Sequence, residues 1–511
     1  MIRCSVLTKE VDGNVTQEAP EAPDFFGDLN LDQIVDGITA GKQEYNLKPF
    51  FNAPLRDVDA IMYRQEVMRD LEDRRLADKV DAFAKNMRVM RQHLTQAEKL
   101  YHKHQKERWF LDAVEIYCEA VQGLARELAD PAVKSRGIMA FREYAAGYVT
   151  SEGFSSLLGQ TRKLQADLSS VRYCTLVSGP RVRVRKYESE IDYSEDVLQT
   201  FEKFKQGAVK DYLVAFRSGN DMNHVESQVL DCVARLYPEI FQDLDEYCIR
   251  NAGYLDETIA AFDREVQFYL SYLDFIAVLR HAGLPFCYPA VSDTSKEIFS
   301  VEGFDLALAR KLAVESASVV CNDFFLKGKE RIIIVSGPNQ GGKTTFSRAF
   351  GQMHHLAALG CAVQGRKAQL FLVDRMFTHF EKEEDIRNLR GKLEDDLVRI
   401  HRILGEATSD SIIIMNEIFN STTLKDAIFL GKKVMERAIS RDLICVCVTF
   451  IDELSSMSEK TVSMVSTVDA ANTAVRTFRI MRKPADGLAY AISIAEKYRL
   501  TYDSLRERIP S

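Results

Sequence analysis

The chain has no apolar run near the roughly 20 residues that a membrane helix needs, no Cys-x-x-Cys pair, no excess of positive charge and no low-complexity stretch. Each absence removes a class of protein. The opening MIRCSVLTKEVDGNV lacks the apolar block of a signal peptide, and with no candidate membrane helix a cytoplasmic protein is expected. The ten cysteines, Cys4, Cys118, Cys174, Cys232, Cys248, Cys287, Cys321, Cys361, Cys445 and Cys447, have no histidine at metal-ligand spacing. Most sit among aliphatic residues, which reads as reduced core thiols and excludes a disulfide or zinc framework. With 12 prolines, 26 glycines and 46% hydrophobic residues in 511, the chain is neither collagenous nor disordered. The balance of 67 basic against 75 acidic residues, a net −8, excludes a basic coat. Any nucleic-acid contact must be a local patch.

What is present divides the chain in two. Residues 1–24 are polar and end in the Pro-rich EAPEAPD, which predicts a tail. Between Pro54 and Pro131 no proline interrupts, and apolar residues at three- and four-residue spacing predict long helices over 57–87 and 92–127. A second helical block is predicted from about Ile191 to Ala282, with its clearest periodicity in Leu255, Ile259, Phe262, Val266, Tyr269, Tyr272 and Leu273. Between the blocks, RYCTLVSGPRVRVRK (172–186) alternates around Ser178-Gly179-Pro180 and predicts a β-hairpin. Beyond Pro289 the pattern changes. Dense β-branched runs at Arg331 to Ser336, Leu370 to Val373, Ser411 to Met415 and Leu443 to Thr449 alternate with helical stretches, which means an α/β layer over a buried parallel sheet. The expected organisation is a tail over 1–24, a helical region over 25–295 and an α/β domain over 296–511.

The first of those strands runs into Gly337-Pro338-Asn339-Gln340-Gly341-Gly342-Lys343-Thr344, which fits G-x-x-x-x-G-K-[ST] at every required position and is followed by Thr345. Glycines let the backbone turn its N–H groups toward a phosphate, and the positive end of the following helix adds to the attraction. Lys343 is then placed to reach the β- and γ-phosphates of ATP, and Thr344 to hold Mg²⁺. The strand from Ser411 to Met415 delivers Asn416-Glu417 to its end. Glu417 is the candidate to polarise the attacking water, and Asn416 stands where a carboxylate would hold the metal. A neutral amide there predicts weaker metal affinity.

Those residues, with Asn322-Asp323, ILGEAT (403–408), Ser421-Thr422-Thr423 with Asp426, and Asp486-Gly487-Leu488-Ala489-Tyr490, resemble the ATPase domain of the MutS family of DNA mismatch repair proteins. The resemblance covers most of 320–511. More weakly, FFGDLNLDQIVDGI (25–38) and the long helices look like that family's core and lever. It implies a long-helix core followed by a P-loop ATPase of the ABC type, a homodimer with ATP and Mg²⁺ as cofactors, and a clamp on nucleic acid, DNA rather than RNA. It also implies that Thr422, Thr423 and Asp426 form the loop after the catalytic strand at the dimer interface.

The departures narrow that expectation. Asn416 replaces the family's metal-binding Asp, Gly391-Lys392-Leu393 stands where the family has Ser-Thr-Phe, and Thr449-Phe450 stands where it has Thr-His. Nucleotide binding with weak turnover is expected, with His379 and Lys392 as possible substitutes for the lost groups. About 300 residues ahead of the ATPase are too few for the family's mismatch-recognition and connector domains as well, and Phe141-Arg142-Glu143 matches its Phe-x-Glu reading motif only nominally.

Two basic features offer themselves to phosphates. Lys85, Arg88, Arg91, Lys99, Lys103 and Lys106 fall within a stripe about 120° wide if their segment is one helix. Arg181, Arg183 and Arg185 share one face of the predicted hairpin. Either set can equally be a solvated face. Two readings follow: a MutS-like ATP-dependent clamp on duplex or branched DNA with slow hydrolysis, or a nucleotide-binding switch or scaffold acting on ribosome, RNA or protein.

Overall fold

Ile332–Ser336 (β1), Met376–His379 (β2), Ile412–Asn416 (β3), Ile444–Val448 (β4), Thr461–Val468 (β5) and Arg476–Arg482 (β6) form one six-stranded sheet in the order β2-β3-β4-β1-β5-β6. Every neighbouring pair is parallel except β5 with β6. The computed structural model describes residues 4–9, 18–129, 133–190, 222–381, 391–469, 475–485, 500–502 and 505–506. These cluster into two compact units, one of 1–73, 134–139 and 264–511, the other of 74–133 and 140–263.

The strands of the first unit are apolar without alternation because both faces of the sheet are covered. On one face Ile332, Ile334, Ile413, Met415, Cys445 and Cys447 pack with Val434, Met435, Ile403 and Leu404. These last four come from the helices Lys392–Glu406 and Leu424–Ser440. The helix Lys343–Ala358 is buried along nearly its whole length. A Cβ added at its Gly351 would lie 2.7 Å from Ile414 Cδ1, so a larger residue there would make Ile414 shift.

Three expectations are corrected here. The segment 370–373 does not enter this sheet: Lys367–Phe371 joins a separate four-stranded sheet with Ala290–Ser292, Ile298–Gly303 and Asn322–Leu326. The edge of the main sheet is β2 instead, and β5 and β6 were not foreseen. The N-terminal segment is not all tail. Val6 and Leu7 are buried, and Glu265 accepts from Ser5 Oγ at 2.7 Å and Val6 N at 2.9 Å. Two apolar side chains are enough to bury a segment whose average composition is polar. The units also do not part at 295. Residues 25–38 pack within the first unit, where Gln352 Nε2 donates to Leu29 O at 2.9 Å and Arg348 Nε to Asp28 O at 2.9 Å.

The second unit is helical. Arg74–Lys99 and Lys103–Glu127 form a helical hairpin, so the helix boundaries differ from the expected 57–87 and 92–127. Its core includes Val80, Phe83, Met87, Leu111, Val114, Tyr117 and Val121, with Leu157, Leu164, Leu244 and Tyr247 from later helices. Tyr173–Ser178 and Arg181–Lys186 pair antiparallel around Gly179, whose φ is +58°. Much of the second helical block, residues 191–221, lies outside the described residues. All ten cysteines are free thiols, five buried and five half-buried, so the core reading fits only half of them. No described helix is long and apolar enough to cross a membrane.

Candidate nucleotide site at the strand ends

The turn from β1 into the helix Lys343–Ala358 depends on glycine. Gly337 has φ +111° and Gly342 φ +89°, a region that costs residues with a Cβ. Space demands glycine as well. A Cβ at Gly337 would lie 2.8 Å from Ser466 O, and one at Gly341 would collide with Ser466 Oγ. That hydroxyl donates to Gly341 O at 2.7 Å, so buried Ser466 of β5 fastens the loop from below. Pro338 is buried, whereas Asn339 and Gln340 are exposed. No side chain caps the first turn of the helix that starts at Lys343.

Lys343 is only 4% exposed. Its Nζ donates to Gly337 O at 2.9 Å and Pro338 O at 3.0 Å, and lies 4.4 Å from the centre of the Phe450 ring. No ion pair reaches it among the described residues. Burial lowers its pKa below the ordinary lysine value, the Glu417 carboxylate opposes that shift, and the Arg476 guanidinium adds to it. A buried cation held by carbonyls and an aromatic face is short of counter-charge. A phosphate would supply it.

Thr344 Oγ1 donates to Asn416 Oδ1 at 2.9 Å, which ties the start of the helix to the end of β3. Glu417 follows with φ +55°, a left-handed conformation uncommon for a residue with a Cβ, and Phe419 beyond it has φ +62°. Its N–H donates to Val448 O at 2.8 Å, and its carboxylate accepts from Asn420 Nδ2 at 3.3 Å. Strand β4 lies between β1 and β3, so Thr449 and Phe450 emerge between the glycine loop and Glu417. Thr449 N donates to Val335 O at 3.0 Å.

Sequence reasoning missed two contributors. Ser466 and Arg476, whose Nε donates to Asn339 O at 3.2 Å, come from strands more than a hundred residues downstream and belong to no local motif. Other expected residues lie elsewhere. Thr423 caps the helix Leu424–Ser440, accepting from Asp426 N at 3.3 Å and donating to Asp426 Oδ2 at 2.8 Å, beside half-buried Thr422. His379, on edge strand β2, is 1% exposed with Nε2 3.3 Å from Asp396 Oδ1. Lys392 is paired with Glu381. Neither stands at the glycine loop's own strand. Residues 486–490 lie outside the described residues.

The basic stripe does not exist as one helix face. The helix ends at Lys99 and a new one starts at Lys103, so Lys103 and Lys106 belong to the other arm of the hairpin. Its charges are also largely committed. Lys85 pairs with Asp81 at 2.6 Å, Lys103 with Asp245 at 2.8 Å, and Arg91 with the buried Asp263. Arg88 is half-buried, while Lys99 and Lys106 are exposed. On the hairpin, Arg185 pairs with Glu190 at 2.7 Å, but exposed Arg181 and Arg183 carry no ion pair among the described residues. Phe141 is a core residue, fully buried and stacked on Phe262 with ring centres 3.6 Å apart.

Residues 333–503 match the family described as MutS domain V. The DNA mismatch repair protein MutS of Thermotoga maritima is 24% identical over 232 residues, 44% of this chain and 28% of its own length. That of Rickettsia rickettsii is 28% identical over 244 residues, 47% of this chain and 26% of its own length. The chain thus spans about a quarter of the length of these curated relatives.

Proposed function

Since the chain is a divergent member of the MutS family, we propose that it is an ATP-dependent DNA-binding clamp, a homodimer that hydrolyses ATP slowly in DNA repair or recombination. The observation that carries the nucleotide part of this is the buried Lys343 at the glycine loop, held by two carbonyls and given no carboxylate partner among the described residues. In this P-loop reading Gly337, Pro338, Asn339, Gly341, Gly342, Lys343, Thr344 and Thr345 cradle the phosphates of ATP.

The donor set suits Mg²⁺ only in part. Thr344 Oγ1 and Asn416 Oδ1 are neutral oxygens 2.9 Å apart, and Glu417 is the adjoining carboxylate. No cluster of three or more metal-ligating side chains exists among the described residues. Thr344 and Asn416 would hold the ion together with the nucleotide's own oxygens, which is weaker than a site with a carboxylate at 416. Bound Mg²⁺ supplies neutralisation of phosphate charge. Glu417 orients the attacking water and accepts its proton. Thr422, Thr423 and Asp426 stand near the dimer interface, where Leu424 and Phe429, 67% and 61% exposed, would be covered.

A second reading, a switch or scaffold without efficient hydrolysis that acts on ribosome, RNA or protein, is favoured by Asn416 and by the Phe450 ring over Lys343. One assay separates the two. ATP turnover is measured on the wild type and Glu417→Gln, titrated with duplex DNA, branched DNA and RNA. The clamp reading expects turnover stimulated by DNA and lowered about 100-fold or more in the variant. Nucleotide binding without turnover would establish the switch instead.

A further inference from the structure

We propose that Phe450 is a specificity-determining residue of this nucleotide site, a ring that must leave Lys343 before a γ-phosphate can be gripped, so that the resting protein prefers ADP to ATP. The inference rests on the nucleotide-site reading and adds a selectivity to it. A lysine ammonium has three donors. Two are taken by Gly337 O and Pro338 O, and the ring of Phe450 lies 4.4 Å from the same nitrogen. The remaining donor direction meets a π-face, which attracts a cation without being a hydrogen-bond acceptor of phosphate strength.

The position of the ring follows from the strand order. Because β4 separates β1 from β3, the residue after Thr449 is delivered between the glycine loop and Glu417. That is the side on which a terminal phosphate must lie if Glu417 is to reach its attacking water. The α- and β-phosphates belong to the backbone cradle on the other side. A diphosphate therefore binds with the ring in place. A triphosphate needs it displaced.

The ring is also built to move while its backbone stays. Thr449 is 2% exposed and bonded to Val335 O, and Ile451 is 5% exposed with its N–H donating to Thr449 Oγ1 at 3.0 Å. Phe450 between them is 47% exposed. One face of the ring lies against the Lys343 ammonium and the residue is otherwise largely open, so it can swing out without unpacking a core.

The test is equilibrium binding of ADP and of a non-hydrolysable ATP analogue, each with Mg²⁺, to wild type, Phe450→Ala, Phe450→Leu and Lys343→Ala. The wild type is expected to bind ADP more tightly. Phe450→Ala should tighten the triphosphate on the order of tenfold while moving ADP less than about twofold. Phe450→Leu, which keeps the bulk and loses the π-face, should fall between. As a readout without nucleotide, Lys343 should react faster with an amine-acetylating reagent in Phe450→Ala. Equal shifts for both nucleotides, or a weaker triphosphate, would overturn the gate. If Lys343→Ala binds both nucleotides like the wild type, the nucleotide site itself is wrong. If it loses both while Phe450→Ala leaves the ratio unchanged, only the gate is wrong.

Discussion

Two groups of cations in this molecule have opposite fates. In the helical unit, Lys85, Arg91 and Lys103 each lie against a carboxylate, Asp81, Asp263 and Asp245. In the α/β unit, Lys343 is buried yet among the described residues it bonds to two carbonyls, lies against an aromatic ring and forms no ion pair. Seven basic residues between 85 and 108 look like a binding surface in one dimension and act mostly as internal pairs in three. One lysine in a glycine loop is the reverse. A cation withheld from carboxylates is the better marker of an anion site than a run of cations, because only the former gains its partner from outside.

Breaking the structural role of the helical charges should have the largest effect on stability. Arg91→Ala leaves the buried Asp263 short of a principal partner and is expected to destabilise the protein by about 3 kcal/mol, read as a shift in the urea midpoint at constant slope. An unchanged midpoint would mean that the pair is incidental and the stripe freer than it looks. A smaller effect separates the hairpin from the stripe. If the hairpin touches phosphates, Arg181→Ala with Arg183→Ala should lower the salt slope of DNA binding by about two, Arg185 being committed to Glu190. Lys85→Ala with Lys103→Ala should change it by less than about one. Equal slopes for the two pairs would erase the distinction.

Legibility followed sequence distance. The glycine loop could be read because strand, turn, lysine and helix are contiguous and each residue type has one purpose. Glu417 could be read because an apolar strand points to it. The fastening of that loop by Ser466 and Arg476 could not, since it comes from strands with no motif of their own. Phe450 was visible as a departure, but its place over Lys343 depends on β4 lying between β1 and β3, a pairing order that no local pattern encodes. The stripe failed for a local reason: the helix breaks across Leu100, Tyr101 and His102 with neither proline nor glycine to announce it. The assignment of the first seventy residues failed because Val6 and Leu29 meet partners more than 250 residues away, Glu265 and Gln352.

The central claim is that Lys343 is a cation reserved for a nucleotide's phosphates. Calorimetric titration of the folded wild type and Lys343→Ala with MgATP and MgADP tests it most directly. The account predicts saturable binding to the wild type and at least a roughly hundredfold loss in the variant, the worth of two charge-assisted contacts, with the melting temperature of the free protein little changed. Equal affinity of the two proteins for both nucleotides would contradict it.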